Sequence, residues 1–201
     1  MAFALHYQGA LTDKRQLSAF LEEVEDIAAS LGWGVQWYDA PWNTRPSAHI
    51  QLSTSGQPEV VGNLGLKGIA LKIASARQPL LFCFGASGVL TSPVQVALSA
   101  AHNYEVTPTW IAAPTTELPP DNHIAIVHLL RYLQSKYLHD LEVADESGYW
   151  NHGDAAAVFA GQPGLEGLAH LARQASYLRK RDNLDIVEQI ALILRKRADL
   201  E

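Results

Sequence analysis

Cysteine and methionine are almost missing from this 201-residue chain, which holds one of each. The lone Cys83 cannot close an internal disulfide, so a small cross-linked secreted scaffold is excluded and a reducing compartment is expected. Long hydrophobic runs are missing too: no stretch approaches the roughly 18 apolar residues of a membrane span. Residues 1–9 lack a basic n-region, and His6 and Gln8 interrupt any apolar h-region, so no signal peptide is read there and a soluble, cytoplasmic protein is expected. Positive charge is short as well. There are 15 Lys and Arg against 21 Asp and Glu, a net charge of -6. Residues 1–169 carry eight basic against 16 acidic residues and residues 170–201 seven against five, so an acidic body bears a mildly basic tail. Such a body repels a phosphate backbone, which makes nucleic acid an unlikely partner. What remains is an ordinary globular balance, 48% hydrophobic and 18% charged, with enough apolar surface for a core without staples.

Residues 3–7 alternate apolar and polar, with Phe3, Leu5 and Tyr7 on one side, as a half-buried strand does. Asp13 is an N-cap candidate for a helix whose apolar positions run Leu17, Phe20, Leu21, Val24, Ile27, Ala28 and Leu31, with Gly32 as its C-cap. Further strands are read at residues 33–38, 50–52, 69–73 and 80–84, and a sixth at 104–111 interrupted by Pro108. The strand at 80–84 is apolar on both sides and is expected at the sheet centre. From Asp121 the period changes to that of a helix reaching about Leu138, followed by an extended segment at 141–143. Two more helices are read near 165–172 and 184–197. Because strands and helices are segregated, the fold class is α+β: a mainly antiparallel sheet of five to six strands, two long helices on one face, and C-terminal helices. Residues 1–150 form the core domain in this reading, and residues 151–201 a helical extension packing on the core or on a partner.

Catalytic motifs are conspicuously few. Gly85-Ala86-Ser87-Gly88 lacks the final glycine of a nucleophile elbow, since Val89 stands there. The glycines between 62 and 68 fit no phosphate-binding loop. Cys83 lies between Phe82 and Phe84, the setting of a buried, inert thiol. His123 and His128 are five positions apart, about 140° around a helix, and cannot share a metal; His128 and Tyr132 share a face and could hydrogen-bond. The densest polar segment is 140–154. Asp140, Glu142, Asp145, Glu146 and His152 give it the oxygen and nitrogen donors of a divalent-metal site, yet the spacing matches neither a calcium loop nor H-E-x-x-H. The simpler reading of the same residues is a solvated turn, capped by Asp145 or Ser147, with Tyr149 and Trp150 packed on the core.

The pattern His123-x4-His128-Leu-Leu-Arg-Tyr-Leu-x2-Lys136-Tyr137-x2-Asp140-Leu-Glu-Val-x-Asp145-Glu146-x2-Tyr149-Trp150 resembles a segment of a family of uncharacterised bacterial cytoplasmic proteins. The resemblance covers residues 123–150 and implies a bacterial origin and a shared role for Asp145, Glu146 and Tyr149, with no activity attached.

The functional expectation is therefore a non-enzymatic binding or protein-interaction protein. One concrete form is a homodimer through the C-terminal apolar stripe Ile186, Val187, Ile190, Ile193 and Leu194. A second is a ligand face on adjacent strands bearing His6, Tyr38 and His49 among Gln8, Gln36, Gln51 and Lys72. The alternative is a divalent-metal-dependent hydrolase using Asp140, Glu142, Asp145, Glu146 and His152. No cofactor is expected outside that alternative.

Overall fold

The computed structural model describes residues 4–54, 56–102 and 110–160. The sequence readings on 104–109 and on the helices beyond 160, including the Ile186 to Leu194 stripe, lie outside these residues. The architecture is α+β. Strand β1 (Ala4–Gln8) leads through a single 3-10 turn (Lys14–Gln16) into helix α1 (Leu17–Ser30) and strand β2 (Gly34–Asp39). Then come β3 (His49–Leu52), β4 (Pro58–Val61), β5 (Lys67–Lys72), β6 (Leu80–Phe84) and helix α2 (Pro93–His102). The chain continues with β7 (Ile111–Pro114), α3 (Pro120–Lys136), β8 (Glu142–Asp145), α4 (Tyr149–His152) and α5 (Ala155–Ala160).

The strands do not join one sheet. They form two antiparallel three-stranded sheets, ordered β7-β1-β8 and β2-β5-β6, and a separate β3-β4 hairpin. This corrects the single sheet read from the sequence, whose premise was that consecutive short strands pair with each other. Strand β1 instead takes partners more than 100 residues away, with Leu5 facing Ala113 on one side and Asp145 on the other. Strand β6 is also not central, since β5 holds that place. It is apolar on both sides because two layers cover it. Leu80, Phe82 and Phe84 enter the main core, while Cys83 enters a smaller one with Leu66, Val96 and Ala97. Its outer edge is closed by backbone at one end, where Thr91 N donates to Cys83 O at 2.9 Å, and by a side chain next to it: the Tyr7 hydroxyl donates to Leu81 O at 2.7 Å and accepts from Leu81 N at 3.0 Å. Tyr7 thereby ties the β1 sheet to the β6 sheet.

Helix α1 follows the predicted stripe, burying Leu17, Phe20, Leu21, Val24, Ile27 and Ala28, and ends where Gly32 takes a left-handed φ of 68°. Phe20 is the hub of the core, with ring centroids 5.8 Å from Phe82, 5.3 Å from Phe84 and 5.3 Å from Tyr137. Helix α3 packs Ile126, Leu129, Leu130 and Leu133 into the same core, and Val158 of α5 joins it. No helix among the described residues is long and apolar enough to cross a membrane.

Candidate functional site

Two polar side chains of the 115–150 segment, His123 and Ser147, converge on the Asp145 carboxylate. Alternation along β8 turns Asp145 inward beside buried Leu5, while Glu142 faces outward with its cross-strand partner Gln8. Pro120 opens α3 and sets His123 in its first turn, and the left-handed Gly148 (φ 78°) lets the chain reverse from β8 into α4. Asp145 Oδ1 accepts from Ser147 N (2.9 Å) and Ser147 Oγ (2.8 Å), and Oδ2 accepts from Trp150 N (2.8 Å). His123 Nε2 stands 3.3 Å from Oδ1 and 3.0 Å from Ser147 Oγ, and Nδ1 meets Thr115 Oγ1 at 2.8 Å. The His123 and Asp145 side chains are 2% and 0% exposed.

Protons can be assigned from this network. The Ser147 hydroxyl gives its proton to Asp145, so the only hydrogen available between His123 and these two oxygen atoms is one on Nε2. Burial pushes the Asp145 carboxyl up, but the hydrogen bonds from His123, Trp150 N and Ser147 outweigh it and hold the pKa down at about 2. The order of contacts differs from a hydrolytic triad. There the acid orients one ring nitrogen and the nucleophile uses the other; here acid and serine share Nε2, and the serine proton is already committed. With neither His123 nor Asp145 open to solvent, the cluster is a buried pin joining α3, β8 and α4. The turn read at 140–154 is capped by Asp145 and Ser147 and followed by buried Tyr149, but it is not wholly solvated, since the Asp145 side chain is shielded from water.

The other members of the acidic segment go elsewhere. Asp140 Oδ1 accepts from Ala10 N (3.0 Å), Glu142 Oε2 from Gln8 Nε2 (2.8 Å) and Glu146 Oε2 from Ala4 N (2.9 Å), while His152 closes the exposed end of α4. Inward Asp145 and outward Glu142 lie on opposite faces of one sheet and cannot share an ion. Among the described residues no three His, Cys, Asp or Glu side chains are grouped to hold a metal.

Comparison with known protein families, curated proteins and solved structures finds no match to this chain.

His6, Tyr38 and His49 fall on β1, β2 and β3, which belong to three different sheets, so strand pairing does not bring them onto one face. His6 Nε2 lies 3.5 Å from Glu146 Oε1, Tyr38 packs against the smaller core, and His49 is exposed. His128 does not bond Tyr132 as their shared helix face suggested. Its Nε2 meets Tyr149 OH at 3.1 Å, and burial, then the Arg131 charge, lower its pKa.

Tyr132 belongs to a second buried cluster that sequence reasoning missed. Glu23 on α1 is 4% exposed and accepts from the hydroxyls of Tyr132 and Tyr137 on or just after α3, with Lys136 Nζ 3.5 Å away. Burial and the Glu23 carboxylate push the Tyr132 phenol up to about 12, against the pull of Lys136. A tyrosine held neutral in this way clamps two helices and does not serve as a base at neutral pH. The local signal was a glutamate on the apolar stripe of α1; its partners, more than 100 residues on, carried none.

Proposed function

We propose that this is a non-enzymatic protein-interaction protein that self-associates through β3 and α2. The observation that carries the reading is that, among the described residues, four of the six exposed large apolar side chains lie on these two elements, the others being Trp37 and Trp110. Ile50 (44% exposed) and Leu52 (73%) stand on β3, and Val94 and Leu98 on α2, two elements packed against each other. Every residue of β3 is exposed, and among the described residues its only strand partner is β4. Edge strands are ordinarily blunted by charge or proline. His49-Ile50-Gln51-Leu52 has neither. An antiparallel pairing of two β3 strands about Gln51 sets Ile50 of each copy opposite Leu52 of the other, an isologous contact.

Sedimentation velocity of the full chain tests this, beside Leu52→Glu and Ile190→Glu. A dimer that Leu52→Glu dissociates supports the β3 contact. A dimer dissociated only by Ile190→Glu transfers the interface to the C-terminal stripe, and a monomer at all micromolar concentrations refutes self-association. The metal-dependent hydrolase alternative draws less support, because Asp140, Glu142, Asp145 and Glu146 each serve a different hydrogen-bond partner.

A further inference from the structure

Beyond β6 the chain turns back on itself through Gly85-Ala86-Ser87-Gly88, with Gly88 N bonded to Gly85 O at 2.8 Å and Thr91 N to Cys83 O at 2.9 Å. Beside this turn lies a cavity of about 150 Å³ whose walls include Trp42, Pro46, Leu66, Ser87, Thr91 and Val96. Trp42 is fixed in place, its indole N–H donating to Phe84 O at 3.2 Å. Among the described residues no acidic, basic or histidine side chain lines the space.

Gly85 forms part of the wall, and the fold does not require it to be glycine. Its φ is not in the left-handed region, and a Cβ there would meet nothing nearer than Ser87 Oγ and Thr91 Oγ1, both at 4.0 Å, an ordinary contact. Contrast Gly68, where a Cβ would lie 2.2 Å from Phe82 O. What the bare Cα of Gly85 provides is room between two hydroxyls of complementary capacity. Thr91 Oγ1 donates to Val89 O and keeps lone pairs for accepting, whereas Ser87 Oγ accepts from Val89 N and its proton has no acceptor among the described residues.

We propose that this cavity is a binding site for a small uncharged ring bearing a hydroxyl. The ring lies against the Trp42 indole, and the hydroxyl accepts from Ser87 and donates to Thr91. A cavity of about 150 Å³ is large enough for benzene and well below the several hundred Å³ of drug-sized sites, which sets the ligand at one ring. Among the described residues no charged side chain lines the space, so an ionised ligand gives up water there without gaining a partner and binds less well than its neutral counterpart.

The test uses the full chain, labelled with ¹⁵N and titrated with phenol, benzene and benzoate at millimolar concentrations. Phenol is expected to shift the Gly85, Ser87 and Thr91 amides saturably, and benzoate is not. Ser87→Ala should weaken phenol by about threefold, the net worth of a hydrogen bond at the solvent-exposed Ser87, and leave benzene unaffected. Gly85→Ala should fold with an unchanged melting temperature and weaken phenol, because its methyl occupies the space between the hydroxyls. The proposal is overturned if phenol produces no saturable shift, if benzoate binds as well as phenol, or if Ser87→Ala weakens both ligands equally. It is equally overturned if Gly85→Ala lowers the melting temperature by several degrees, since the glycine would then be serving the fold.

Discussion

Replacing Asp145 by asparagine keeps the shape of the side chain and removes the charge on which His123, Ser147 and Trp150 converge. Two routes give the cost. A folded pKa of about 2 against an ordinary carboxylate value near 3.8 corresponds, at about 1.4 kcal/mol per unit, to on the order of 2 kcal/mol at neutral pH. Independently, the new amide turns an N–H toward a donor, either Trp150 N or the Ser147 groups, and a buried donor left unpaired costs about 1–3 kcal/mol. The full shielding of the side chain prevents water from repairing the loss. Asp145→Asn is therefore expected to lose about 2–3 kcal/mol in urea unfolding at pH 7, and roughly 5–10 °C in melting temperature for a chain of this size. The pH dependence has a definite sign. Because the folded pKa is depressed, the stabilisation is complete above the unfolded pKa and disappears as the pH falls from about 4 through about 2. Wild-type stability should fall more steeply than that of the variant across this window, so that the gap between them narrows. A loss under about 0.5 kcal/mol at pH 7, or parallel curves from pH 4 to pH 2, would show that the carboxylate is not the centre of the pin.

Tyr7→Phe leaves Leu81 N and Leu81 O unpaired at a closed sheet edge and should cost about 2–4 kcal/mol in chemical unfolding; a near-neutral result would mean that water reaches this edge. Gly68→Ala drives a methyl into the β6 backbone at Phe82 O and Cys83 Cα, so the variant should not accumulate as folded protein, as circular dichroism would report. Cys83 is fully buried, and burial pushes its thiol up to about 12. It should react with a maleimide only at the rate of unfolding, and fast labelling of the native protein would contradict the two-layer cover on β6.

How much of this was legible before folding depends on the range of each interaction. Period-two alternation placed Leu5 and Tyr7 on one face of β1, and the spacing of three and four located α1 and α3, because backbone geometry repeats within a few residues and imprints itself on the nearest neighbours. Turn chemistry was similarly local, as Gly32 and the Asp145 to Gly148 reversal show. Helix α2 was passed over although Ser92 and Gln95 carry a reciprocal cap, with Ser92 Oγ accepting from Gln95 N at 3.2 Å and Gln95 Oε1 from Ser92 N at 2.9 Å. That signal was present, and the short alanine-rich sequence behind it hid the helical period. The partners of β1, the flanking place of β6 and the separation of His6, Tyr38 and His49 onto three sheets had no such trace.

The sequence by itself determined the α+β class, the two long helices, the inward face of β1 and the burial of Cys83, all of which follow from which side of a local element is apolar. Only the tertiary structure decided that Asp145 meets His123, that Glu23 meets Tyr132 and Tyr137, and that Trp42, Ser87 and Thr91 surround one cavity. The Asp145 and Glu23 contacts join residues from 22 to 114 positions apart, and Trp42 stands 45 positions before Ser87. A polar side chain's partner is chosen by whichever donor or acceptor the packed core leaves beside it, and that choice is a property of the whole fold.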